Sequence, residues 1–357
     1  MQSRRGFLAG LMASSMAPKA TWADAGTPAF LAAGKDELDL FVIAGLSDTG
    51  QVLFRHPLPG RGHAASAHPT RPEAVAFARR PGRFADVIDC CSGAQLARLE
   101  PPLGHHFYGH GVFSPDASVL FTTENAYETA EGMIGLWDAN TYARIGQFPS
   151  GAIGPHEVLL RRDAPGLVIA NGGIETHPDS GRAKLNIPFM RPSLSYLTLE
   201  GEIEEIMELP AELHKNSIRH IAVRGDGTVG FAMQWQGDPG DEVPIVGLHR
   251  PGHTPRLLAE DDPRIRNLHG YGGSIAFSGT ETQIAVTSPR GGMVQVMECS
   301  TGRLVAEHHL PDVCGLAPTA SGLLASTGTG AILRIGPTVA HLATAPLAWD
   351  NHLIPLG

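Results

Sequence analysis

The chain has 357 residues with 43 glycines and 28 prolines, only 6% aromatic and 18% charged positions, and a formal net charge of −9. An acidic balance without a basic stripe excludes the usual means of holding a nucleic-acid backbone, and no apolar run approaches the ~20 residues that span a bilayer. Abundant turn residues without a sustained helical period point to an all-β chain.

The first 25 residues read as an export signal. Arg4 and Arg5 precede a short apolar run from Leu8 to Met16, and Ala23-Asp24-Ala25 offers the small residues a signal peptidase reads. The expectation is twin-arginine export to the periplasm with cleavage after Ala25, leaving 26–357 as one domain. Three strand-like runs follow, at Phe30–Ala33, Leu38–Ile43 and Gln51–Phe54. A four-strand unit then recurs. Its clearest copy starts at His110 and runs through Val119–Thr123 and Ile134–Asp138 to Ala143–Phe148. Further copies start at Ser217 and Ser274, and weaker ones near His63, His156 and Cys314. An unpaired strand, Trp349–Leu356, ends the series. Sheets arranged in a ring must hide their edges, and three strands at the start plus one at the end complete one blade. The pattern therefore predicts a seven-bladed β-propeller of the YVTN/WD40-like kind, a monomer.

Aligning the seven innermost strands places His63, His110, His156, His220, Ser274, Cys314 and His352 at their heads, at one mouth of the channel. Neutral imidazole ligates iron, copper, zinc or nickel, and a thiolate at Cys314 adds a soft donor. The metal-ligand set read from the sequence is thus His63, His110, His156, His220, Cys314 and His352. A propeller channel is wide, so one ion is expected to take only neighbouring members, whereas a cluster or haem would use more. The competing reading has each histidine bonding the next blade as a structural repeat feature.

The fourth blade carries a long polar insertion, 171–192, between its second and third strands. It should overhang the same mouth, along with loops 125–132 and 236–243, and within it His177, Arg182 and Lys184 could bind a cofactor or anion. Four cysteines suffice for two disulfides, but Cys91 and Cys299 fall at equivalent places in different repeats and a Cys90–Cys91 bridge would be strained, so free thiols are expected. Trp137-Asp138 reads as core packing plus a turn. No nucleophile elbow and no acid–base pair of carboxylates stands out.

Tyr108-Gly-His-Gly-Val-Phe-Ser, Gly154-Pro-His-Glu-Val, the segment Asn171–Arg182, Ser217-Ile-Arg-His, Gly270-Tyr-Gly-Gly-Ser and Trp349-Asp-Asn-His-Leu together carry a resemblance. Over the whole mature chain the sequence resembles a family of bacterial twin-arginine-exported propellers grouped under a domain-of-unknown-function label. Members of that family are typically encoded beside imelysin-type periplasmic proteins, which implies a part in iron uptake and an imelysin-like partner. A remoter resemblance, in kind only, is to nitrous oxide reductase, whose propeller holds copper with histidines at one mouth. The expectation is a non-enzymatic protein that binds iron, copper or haem. The alternatives are a metal-dependent redox enzyme, a lactonase-like hydrolase, or a docking platform without a ligand.

Overall fold

The computed structural model describes residues 20–79, 83–181, 183–320 and 322–356. They form a seven-bladed β-propeller of six four-stranded antiparallel sheets and one composite sheet. In the composite blade Leu347–Trp349 pairs with Phe30–Asp36, followed outward by Phe41–Leu46 and Val52–Pro57. Ile354–Pro355 rejoins the same Phe30 strand further along, so the chain closes the ring as its three-plus-one strand count predicts. The following blades begin on Gly62–Ala67, His105–Phe113, Pro155–Leu160, Asn216–Val223, Ser274–Phe277 and Val313–Thr319.

Burial explains why these segments read so differently in the sequence. Middle strands such as Leu167–Asn171 and Ser193–Leu197 are buried at every position because neighbouring blades cover both faces. Outer strands such as Arg144–Pro149 and Val52–Pro57 face solvent on one side and alternate. The core therefore lies between blades: Val75 and Phe77 of the second blade meet Phe107, Leu120 and Trp137 of the third. Trp137 donates its indole N–H to Thr122 Oγ1, and Asp138 Oδ1 accepts from the Asn140 and Thr141 amides to close the next turn.

Two strand limits differ from the sequence expectation. The run expected from Leu38 begins at Phe41, because Asp36 Oδ1 takes the Leu38 and Leu40 amides and ties those residues into the preceding turn. The closing strand is interrupted at Asp350–Leu353. Bulges break the ladder on five other innermost strands: between Gly62 and Ala65, Phe107 and Gly111, Pro155 and Glu157, Ile218 and His220, and Val313 and Leu316.

All four cysteines are free thiols. The paired arginines lie outside the described residues. Trp22 and Ala25 pack against the second blade, the Trp22 indole donating to the His68 carbonyl. No helix among the described residues is long and apolar enough to cross a membrane.

Candidate metal centre

The bulges sit where the sequence places the histidines, and that coincidence builds the site. An inserted residue twists a strand and re-aims its side chain. His63, His110 and His156 lie within bulges, His220 adjoins one, and His352 lies in the gap of the closing strand. Gly109 makes room next door: it holds φ at +105°, and a Cβ there would stand 2.6 Å from His63 Cδ2.

The five imidazoles close up into one cluster rather than lining an open channel. His63 lies 4.9 Å from His110, 4.7 Å from His352 and 5.6 Å from His156, measured between ring centroids. His110 and His352, from non-adjacent blades, are 4.6 Å apart, and His220 is 4.8 Å from His156 and 4.9 Å from His352. The expectation that only neighbours could share an ion is therefore corrected: the rings pack across the axis. Three overlapping triads place their ligand atoms within 4.8 Å of one another: His63, His110 and His352; His110, His156 and His220; and Glu157, His220 and His352.

Sequence reasoning missed Glu157. Side chains at consecutive strand positions normally point to opposite faces, but the bulge beside Pro155 turns both His156 and Glu157 inward. Glu157 Oε1 stands 3.6 Å from His110 Nδ1 and Oε2 3.5 Å from His220 Nδ1, while Oε2 also accepts the Ile221 amide at 2.9 Å. Asp350 is the second carboxylate, 4.0 Å from His63 Nδ1 and bonded by Arg61 Nε at 2.6 Å and Arg79 Nη1 at 2.7 Å. A charged residue beside a histidine in an otherwise apolar inner strand was the signal available for both.

Desolvation is the largest influence on four of the imidazoles. Burial holds His63, His110, His156 and His352 below the usual imidazole range, and the neighbouring imidazoles add to the effect. For His63 the Asp350 charge offsets part of the shift. Burial would raise the Asp350 carboxyl, but His63, Arg79 and Arg61 together hold it well below the usual carboxylate range. These four rings are thus neutral at pH 7, the form that ligates a metal. His63 Nδ1, His156 Nδ1, His220 Nδ1 and His352 Nε2 are buried without a hydrogen bond among the described residues. Such nitrogens are costly unless a ligand takes them. His63 Nε2 and His110 Nε2 face each other at 3.2 Å, close to the ~3.4 Å between nitrogens on one tetrahedral ion with bonds of about 2.0–2.1 Å. Each triad offers three ligand atoms, all imidazole nitrogens in two and one carboxylate with two nitrogens in the third, donors suited to iron, copper, zinc or nickel.

The other predicted residues lie elsewhere. Cys314 belongs to none of the triads; its thiol donates to the Asp312 carbonyl at 3.1 Å, and burial pushes it up to about 12. Ser274 Oγ accepts the Leu316 amide of the next blade, a structural tie. His177 caps a 3-10 turn, accepting the Asp179 amide at 3.2 Å with its ring edge on Tyr127, and Lys184 bonds Gln236. Arg182 lies outside the described residues. The insertion folds on itself through Asn186, which takes the Glu175 amide and donates to the Gly173 carbonyl, and Asn125 anchors it at Thr176.

A seven-bladed propeller plugged at its axis by five imidazoles is the class that fold and site define. Within it, the chain belongs to the family described as protein of unknown function DUF1513, whose model matches residues 56–356. The search of curated proteins gave no significant match. Among solved structures, Kuenenia stuttgartiensis hydrazine synthase superposes with a TM-score of 0.60 at 14% identity, covering 86% of this chain and 90% of that one. U3-55K aligns at TM-score 0.60 and 13% identity over 89% of this chain and 88% of its own. The RRP9 WD40 repeats give TM-score 0.60 and 13% identity over 90% and 88%. At such identities the likeness is one of fold.

Proposed function

We propose that this protein is an exported propeller that binds a transition-metal ion, iron or copper foremost, at the axial histidine cluster, and that it serves metal uptake rather than catalysis. The observation that carries the reading is the convergence of five imidazoles, four buried and His156 half-buried, four of them with an unbonded ring nitrogen, beside Glu157. Structural histidines that merely stitch blades together would bond neighbouring backbone, as His308 does with the Gly336 carbonyl. Rings 4.6–6.1 Å apart leave no slot for a porphyrin plane among them, which favours an ion over haem. His63, His110 and His352 form the all-nitrogen end, and Glu157 supplies one hard oxygen at the other. The role in iron uptake, with an imelysin-like periplasmic partner, draws its support from the family resemblance and the twin-arginine signal.

Elemental analysis of untagged protein exported from its own signal tests the reading. About one equivalent of a transition metal per chain is expected. Less than about a tenth of an equivalent, with no added Fe, Cu, Zn or Ni retained on desalting, overturns it.

A further inference from the structure

Beside the histidines, a cleft of about 520 Å³ opens between the composite blade, the second and seventh blades on either side of it, and the edge of the sixth. Its walls carry Arg61, Arg79 and Arg290 with Tyr271, and its carboxylates are Asp312 and Asp350. Asp350 is one negative charge bound by two guanidiniums, Arg61 and Arg79. Arg290 is exposed and has no carboxylate partner among the described residues; its guanidinium lies 4.5 Å over the Tyr271 ring. Lys35 also lines the cleft, and Lys184 of the insertion lies within electrostatic reach of Arg290. A chain of net charge −9 has thus gathered cations at one opening. Tyr271, Pro289 and Trp349 supply an apolar wall beside them. The cleft and the cluster also share a boundary, for Asp350 lines the one and faces His63 of the other.

We propose that this cleft binds a small organic anion carrying two or more carboxylates. Planar guanidiniums pair with carboxylates in a bidentate fork: Arg290 can take one carboxylate, and Arg61 and Arg79, side by side on the second blade, can take another through the N–H groups that do not bond Asp350. The apolar wall accommodates the carbon body, and the volume suits a molecule of metabolite size. Inorganic phosphate would satisfy the cations but leave that wall uncovered. The anion site does not depend on the histidines holding a metal, although a carboxylate bound here would lie beside any ion held by His63 and His352.

The test is calorimetric titration of the full mature chain with citrate, after chelator treatment to remove metal. Inorganic phosphate, and glycerol as a neutral control, form the other arms. Citrate is expected to bind at least tenfold more tightly than phosphate, with no heat from glycerol. R290Q, at an exposed position without an ion pair, is expected to keep the wild-type melting temperature and lose tenfold or more in citrate affinity. His110→Ala, which disrupts two of the three triads, is expected to leave citrate affinity within about threefold of wild type, so failure of the metal reading and failure of this one are distinguishable. Absence of citrate binding at millimolar concentration, equal affinity for phosphate, or an unchanged affinity in R290Q overturns the proposal.

Discussion

Acidification should weaken the metal-free fold through the histidine cluster. His63, His110, His156 and His352 are each held below the ordinary imidazole value of 6.5 by burial. In the unfolded chain they regain that ordinary value. As pH falls through 6.5 the unfolded state therefore takes up protons that the folded state refuses, and stability drops until the depressed folded values are reached. Between pH 7.5 and 5.5 one such group costs about 1.4 kcal/mol, so four that stay neutral cost about 5.5 kcal/mol, a large part of the ~5–15 kcal/mol that holds a typical domain. The window lies above the range in which carboxylates such as Asp350 and Glu124 titrate. Urea unfolding of chelator-treated protein, followed by fluorescence of the buried Trp137 and Trp349, measures the loss. His352→Asn should reduce the pH-dependent difference by about 1.4 kcal/mol. A difference below about 1 kcal/mol in the wild type, or an unchanged one in the variant, refutes the argument that these rings are buried neutral.

Other consequences can be checked independently. His110→Ala should weaken metal binding at least 100-fold in a chelator competition assay, because His110 belongs to two triads, whereas exposed His309→Ala should not. Gly109→Ala should cost about 1–3 kcal/mol in thermal or urea unfolding and also lower metal affinity, since the new methyl meets His63 at a positive φ. Arg144→Ala should destabilise the third blade by about 3–5 kcal/mol, leaving the buried Glu124 without the guanidinium that bonds both its oxygens. Mass spectrometry after brief maleimide treatment at pH 7 should find Cys91 modified and Cys90 and Cys314 untouched, as the latter two are buried and pushed up to about 12.

The blades were legible in the sequence because apolar strands and turn residues repeat in order four times per blade, and because the three strands at the start lack a fourth that only the stretch after Leu347 supplies. Five histidines at equivalent strand heads were legible for the same reason. Their packing distance was not, since it depends on bulges, and a bulge shifts backbone pairing without leaving a mark in hydrophobic alternation. Glu157 was obscured by the same effect: strict alternation assigns it to the face opposite His156. Cys314 stands at a strand head by alignment, yet the structure keeps its thiol on the Asp312 carbonyl. The arginine-lined cleft draws on Arg61 and Arg79 of one hairpin and on Arg290, which is far from them in the chain and which only the ring brings to the same opening.

That closure gives His352 a second significance. It sits in the gap between the two short pairings that latch the chain's ends, Gly34 with Trp349 and Phe30 with Pro355. An ion gripped by His352 together with His63 and His110 would rivet this seam to the second and third blades. Peeling the latch open would then require ejecting the ion, so the rate of metal release and the rate at which the disc unzips would be governed by the same mechanical event.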